Sequence, residues 1–218
     1  MVVYYTAGMM QMMKKRPVRP GAGFAISGFT LLETLIVTAM IAILLMVSVP
    51  SFTTFYSNQR LIGAAEQVYN HLQLARTESV ARGQTVYVNF SANGSTTWTY
   101  GMSSITSSCD LTKTAATDTG ACVMVVNDGD ATVHGIGGAT DTGDLVLNRF
   151  ASTDYEGVSM SVTGVTQFTF TALRGMAAAA GQVLLTADNG NQLRVDVSLL
   201  GRVKLCSPSG TVQGYPAC

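Results

Sequence analysis

Glu33 is the only charged residue between Phe29 and Val49, a run of 21 otherwise almost uninterrupted apolar residues that follows directly on Gly28. About 20 such residues suffice to cross a bilayer as a helix. A carboxylate placed inside one costs roughly 2.5–3.5 kcal/mol on insertion scales, so an acid there is expected to have a partner and a purpose. The run is preceded by Lys14, Lys15, Arg16 and Arg19. That order matches the first two parts of a secretory signal peptide. The residues after the run, Ser48-Val49-Pro50-Ser51-Phe52, lack the small-residue cleavage pattern that would complete one.

Other residue types offer less chemistry. Cys109, Cys122, Cys206 and Cys218 all lie beyond the apolar run, and four cysteines allow three connectivities. The sequence-local pairing, Cys109–Cys122 and Cys206–Cys218, is preferred because each pair sits in a glycine- and serine-bearing loop. Closing a loop of that size contributes about 3 kcal/mol in the chain-entropy model, and disulfides imply an oxidising compartment. No C-x-x-C pair is present to hold zinc, and His71 and His134 are not placed to complete such a site. Asp128, Asp130, Asp141 and Asp144 do not follow the EF-hand ligand pattern and read as a solvated acidic loop. No metal and no cofactor is expected. Nucleophile-elbow, zincin and phosphate-loop motifs are absent, and Gly135-Ile136-Gly137-Gly138 misses the dinucleotide fingerprint, so catalysis is not expected.

The elements that position these residues follow from periodicity. The apolar run is the first half of a helix continuing to about Arg82, with Pro50 expected to bend it because proline removes a backbone donor. Beyond Pro50, Leu61, Ala65, Val68, Leu72, Ala75 and Ser79 recur at steps of three and four, while Arg60, Glu66, Gln67, Asn70, Gln73 and Glu78 mark the polar side, where His71 is also placed. Arg82-Gly83 supplies a stop.

From Gln84 the period becomes two. Val86, Val88 and Phe90 lead to an Asn93-Gly94 turn and then Trp98-Thr99-Tyr100, whose aromatics read as core packing. Strands are expected at 122–126, 145–150, 158–163 and 166–172, with a hairpin over 182–199 and a last strand at 202–206. On that strand Arg202 and Lys204 face outward, and Val203 and Leu205 inward. Residues 103–144 form a long loop with one strand, pinned by Cys109–Cys122. Several short strands behind one long helix make an α+β domain.

The Gly28-Phe29 junction with Glu33 five residues on resembles the class III signal of type IV prepilins and type II secretion pseudopilins. The resemblance implies a leader 1–28 (Met12 and Met13 offer shorter starts), cut after Gly28 by a prepilin peptidase that N-methylates Phe29. It further implies a transmembrane and assembly helix over 29–55 and a globular domain over 56–218. Glu33 would neutralise the N-terminal ammonium of a neighbouring subunit. Removing the leader's four cations leaves nine basic against thirteen acidic residues, a formal charge of −4 that opposes a broad grip on nucleic acid.

Leu72-Gln73-Leu74-Ala75-Arg76-Thr77-Glu78-Ser79-Val80-Ala81-Arg82-Gly83, Phe168-x-Phe170, Arg174-Gly175, Gly181-x-Val183 and Gly201-Arg202-Val203-Lys204 narrow the resemblance to H-type pseudopilins and FimT/FimU minor pilins. It implies a pilin fold, with the long helix packed on antiparallel sheets. The implied function is that of a minor type IV pilin starting or capping a pilus at its tip, with other minor pilins, the major pilin, the peptidase and the inner membrane as partners. The globular domain would be periplasmic, then on a surface pilus or a periplasmic pseudopilus. Alternatives are a secretion pseudopilin, or a DNA-uptake pilin in which Arg202 and Lys204 touch phosphate.

Overall fold

Thr30 starts the helix. Its Oγ1 accepts a hydrogen bond from the Glu33 N–H at 3.2 Å, the N-cap pattern that satisfies one of the four orphan donors of a first turn. The computed structural model describes residues 28–218 except Val133 and 136–138; the leader cations therefore lie outside the described residues. Helix α1 runs over Leu31–Ala81. The chain divides into two compact units, Met1–Leu45 and Met46–Cys218.

In the first unit every described residue from Gly28 to Leu45 is exposed. Thr34 and Thr38 donate their hydroxyls back to the carbonyls of Leu31 and Leu35, at 2.9 and 3.0 Å. Such back-bonding satisfies these two hydroxyl donors on an otherwise apolar surface. Among the described residues no helix is long and apolar enough to cross a membrane. The stretch 29–49 read as such a span includes Val47 and Val49, whose side chains, like those of Pro50 and Ser51, lie outside the described residues. The bend expected at Pro50 therefore rests on the sequence, and the helical assignment itself continues through that position.

In the second unit the periodicity of α1 is realised. Leu61, Ala65, Val68, Leu72, Ala75 and Ser79 are all at most 1% exposed, joined by Ala64. The small residues let the helix lie close to the sheet, and Tyr155 packs where a Cβ at Gly63 would stand. The helix ends as Gly83 takes φ +61°. Gln84 N–H then reaches back to the Ser79 carbonyl at 3.2 Å, a left-handed stop that closes orphan carbonyls.

The strands are β1 (Val86–Ser91), β2 (Asn93–Ser95), β3 (Thr99–Ser103), β4 (Val123–Val125), β5 (Leu145–Leu147), β6 (Arg149–Ala151), β7 (Val158–Thr163), β8 (Gln167–Phe170), β9 (Gly181–Ala187), β10 (Gln192–Val197) and β11 (Val203–Cys206). They form antiparallel sheets in the orders β6-β3-β1-β8 and β11-β10-β9-β7-β2, with β4-β5 as a separate pair. The inward residues of β1, β8, β9 and β10 (Val86, Val88, Phe168, Phe170, Val183, Leu185, Leu193, Val195) are wholly buried with the helix face. Each contributes on the order of 1.5–3 kcal/mol by leaving water.

Asn93-Gly94 departs from the sequence reading. β1 and β3 do pair, but the chain between them does not turn tightly. Asn93–Ser95 instead crosses to the edge of the other sheet and pairs with β7 through a register shift. Gly94 takes φ +74° within that irregular strand. A glycine in αL serves a bulge as well as a turn, and the dipeptide alone does not distinguish them. The strand expected over 145–150 is likewise two, β5 and β6, because Asn148 turns its carbonyl to Met102 and its N–H to Cys122.

Candidate functional site

Gly28 and Phe29 precede the helix, and Phe29 is 80% exposed. Glu33 occupies the third helical position, where a negative side chain is favoured by the helix dipole. Among the described residues its carboxylate has no hydrogen-bond or ion-pair partner, although its own backbone N–H is capped. From Leu31 to Met46 the apolar side chains of Leu31, Leu32, Leu35, Ile36, Val37, Met40, Ile41, Ile43, Leu44, Leu45 and Met46 are all between 45% and 83% exposed. Apolar surface this continuous marks contact with lipid or another protein.

Both expected disulfides are present, Cys109–Cys122 and Cys206–Cys218. The first packs on Gly101, where a Cβ would come within 2.7 Å of the Cys122 sulfur. The second ties the C-terminus to β11. The loop it closes reaches α1, where Tyr215 donates its hydroxyl to Glu66 at 2.6 Å. Burial, and then that hydrogen bond, push the Tyr215 phenol up to about 12.

Arg202 and Lys204 flank Val203 at the free edge of the five-stranded sheet, exposed as expected. Leu205 behind them is half-buried. Asp196 stands opposite Lys204 across the β10–β11 ladder. It also accepts a hydrogen bond from Arg194 Nη2 at 3.0 Å, with Nε 2.8 Å from its other oxygen but not aimed along that line. A carboxylate therefore sits among the cations Arg194 and Lys204 of this face.

Two residues, His71 and Asp144, differ from their sequence readings. His71 is not a plain polar-face residue. Its Nδ1 shares a hydrogen bond with the Tyr100 hydroxyl at 2.7 Å, and its ring lies 3.9 Å from that of Phe150. Trp98 and Tyr100, each 1% exposed, form the core of the same aromatic group, and the Trp98 indole donates to the Val158 carbonyl. Asp144 is not solvated. It is fully buried and accepts the backbone N–H groups of Asp128 and His134 at 2.9 and 2.8 Å, stapling a loop that a glycine-, threonine- and aspartate-rich sequence disguises as solvent-facing. Asp128, Asp130 and Asp141 do cluster, their carboxylates within 4.8 Å of one another, with hydrogen bonds to Gly143 and Thr132 holding the Asp141 carboxyl below its ordinary value.

Burial lowers the His71 pKa from 6.5. Below that value the unfolded chain binds a proton that the folded chain resists, so stability declines as pH falls from 7 through 6.5 toward the lower folded value. Melting curves between pH 7.5 and 5 should show this decline flattened in His71→Gln. An unchanged slope in that variant would mean the imidazole ionises freely in the fold.

A half-exposed apolar helix with one unpaired acid near its start, continuing into an α+β domain whose small-residue face packs on antiparallel sheets, defines a pilin-type subunit. The model of the Type II transport protein GspH family matches residues 64–201, well over half of the chain, and the protein belongs to that family. It is also similar to two crystal structures of the Pseudomonas aeruginosa type IV minor pilin FimU. One is 16% identical over 71% of this chain and 98% of that chain, with TM-score 0.40. The other is 17% identical over 74% and 98%, with TM-score 0.43. The minor pseudopilin EpsH of the Vibrio cholerae type 2 secretion system is 14% identical over 68% and 98%, with TM-score 0.40. No curated protein matches the chain significantly in sequence.

Proposed function

We propose that this protein is a minor type IV pilin that is cut after Gly28, enters the inner membrane through the apolar segment beginning at Phe29, and helps to start or cap a pilus at its tip. The observation that carries this reading is the continuous exposed apolar surface of Leu31–Met46 with Glu33 alone in its first turn. A carboxylate there finds its natural partner in the new N-terminal ammonium of an adjoining subunit, since two opposite charges attract far more strongly in a low-dielectric bundle than in water. The globular domain then lies in the periplasm or on the filament, where its two disulfides are at home. The role is structural, not enzymatic: His71 and His134, the two histidines, are both held in structural hydrogen bonds.

The family is named for type II transport, and a pseudopilus subunit is the alternative. The Cys206–Cys218 loop favours the pilus, through its resemblance to minor pilins. DNA uptake is favoured less. Phosphate binding of useful strength needs several converging cations, whereas Asp196 faces Lys204 and holds Arg194.

Mass spectrometry of the chain co-expressed with a prepilin peptidase tests the first step. The expected mature species begins with N-methylated Phe29. An intact leader, or cleavage elsewhere, would refute it.

A further inference from the structure

Two surfaces flank the last turns of α1, and they complement each other. The first is an apolar groove of about 160 Å³ lined by Leu74, Ala75, Met102, Met124, Val126 and Val146, with Glu78 and Arg82 at its rim. Leu74, Val126 and Val146 remain 37–45% exposed, so apolar side chains stand open to solvent there. A cavity of about 150 Å³ lined by aliphatic and aromatic side chains takes up benzene, so this groove is large enough for a leucine. The chain leaving its wall at Val126 runs directly into Asp128 and Asp130, with Asp141 beside them.

The second surface is a knob. The loops β8–β9 and β10–β11 cross where Gly201 meets Gly175, and Gly175 in turn lies against Arg76 and Val80 of α1. From this crossing project Leu173, 94% exposed, Leu200, 70%, and Leu199, 56%. Arg174 and Arg202 are exposed beside them and Arg76 is half-buried. Three of the nine cations of the chain beyond Gly28 thus adjoin this crossing, Arg174 and Arg202 next to its glycines in sequence and Arg76 against them, although that chain is acidic overall.

Knob and groove cannot meet within one molecule. Arg76 and Val80 lie two residues from Leu74, Glu78 and Arg82, about 200° around a helix of 3.6 residues per turn, so the surfaces occupy opposite flanks of α1. A basic apolar projection on one side and an apolar recess whose wall leads into an acidic loop on the other form a heterologous pair, which joins like molecules head to tail.

We propose that the leucine knob of one molecule, led by Leu173, seats in the Leu74–Met124–Val146 groove of a second copy of this chain, with Arg174 and Arg202 facing the Asp128–Asp130–Asp141 cluster. The contact requires no particular filament and would stand if the tip role failed. It gives the globular domains a lateral register independent of the contacts of the apolar helix. Opposite charge at the rim supplies orientation and rejects the reversed pairing.

Disulfide trapping in full-length, membrane-embedded chain tests this directly. All four native cysteines are paired, so an introduced thiol is the only free one. Leu173→Cys and Val146→Cys are placed in differently tagged copies, expressed together and oxidised. Because both side chains are exposed, neither change disturbs the core. The mixed adduct is expected to exceed either homotypic adduct at least tenfold, and to fall several-fold when Arg174→Asp is added to the first copy. Disulfide formation requires Cα atoms within about 7 Å, so association through the apolar helix alone does not yield it. Absence of the mixed adduct overturns the proposal, as does capture of Leu173→Cys by a different protein or an adduct indifferent to Arg174→Asp.

Discussion

Gly201→Ala is expected to lower the melting temperature of the protein by roughly 10–15 °C. Gly201 holds φ +72°, and a Cβ built there would lie 1.9 Å from the Gly175 carbonyl oxygen and 3.1 Å from Arg76 Nε. The left-handed conformation alone costs an ordinary residue about 1–2 kcal/mol, and forced overpacking adds typically 1–3 kcal/mol or more. The total of about 2–5 kcal/mol is a large fraction of a domain's stability. Relief is difficult because both sides of the contact are fixed. Gly201 N–H donates to Ser198 at 2.8 Å, and Gly175 N–H donates to Thr171 at 2.9 Å. Gly210→Ala is the control, since Gly210 also has positive φ but nothing within 4 Å of its added carbon; it should cost only the conformational part. Thermal unfolding followed by the near-ultraviolet signal of Trp98 compares the two. Equal shifts in both variants would show that the loops can separate without loss.

The same crossing shows where sequence reading stops. Arg174-Gly175 and Gly201-Arg202 can be picked out as motifs, yet nothing in either segment says that the two glycines touch. Periodicity reports which face of an element is apolar, and on that ground α1, the β9–β10 hairpin and the inward set Val86, Val88, Phe168 and Phe170 were all legible. It does not report what lies across the face. His71 has the spacing of a polar-side residue, and only the approach of β3 and β6 gives it Tyr100 and Phe150 as neighbours. Asp144 sits in a stretch whose composition signals solvent, and its burial depends on two backbone N–H groups that a folded loop alone brings together. Asn93-Gly94 carries a strong local turn signal, but β7 offers an unpaired edge, and pairing with it prevails over the tight hairpin. The disulfides were legible because loop closure is itself local: each bridge spans only 12 or 13 residues.

Glu33→Leu is expected to leave the chain folded and membrane-inserted while reducing its recovery in sheared filaments by roughly a hundredfold or more. Removing one partner of a buried ion pair costs about 3–5 kcal/mol, because the other charge stays buried without compensation; each 1.4 kcal/mol is a factor of ten. Here the stranded charge would be the N-terminal ammonium of a neighbour. The competing explanation is local: Glu33 occupies the third helical position, and the acid could serve only the helix start. The two accounts separate by magnitude and by variant. Loss of a favourable dipole interaction costs about 0.3–1 kcal/mol, and the backbone cap from Glu33 N–H to Thr30 Oγ1 does not need the carboxylate. Thr30→Ala removes that cap, at about 1 kcal/mol, yet keeps the charge. If the carboxylate acts between subunits, Thr30→Ala assembles nearly as well as the parent and Glu33→Leu does not. Quantitative immunoblotting of sheared filaments against total membrane protein gives the ratio for each. Near-parental recovery of Glu33→Leu, or equal modest losses in both variants, would return Glu33 to the role of an ordinary first-turn acid.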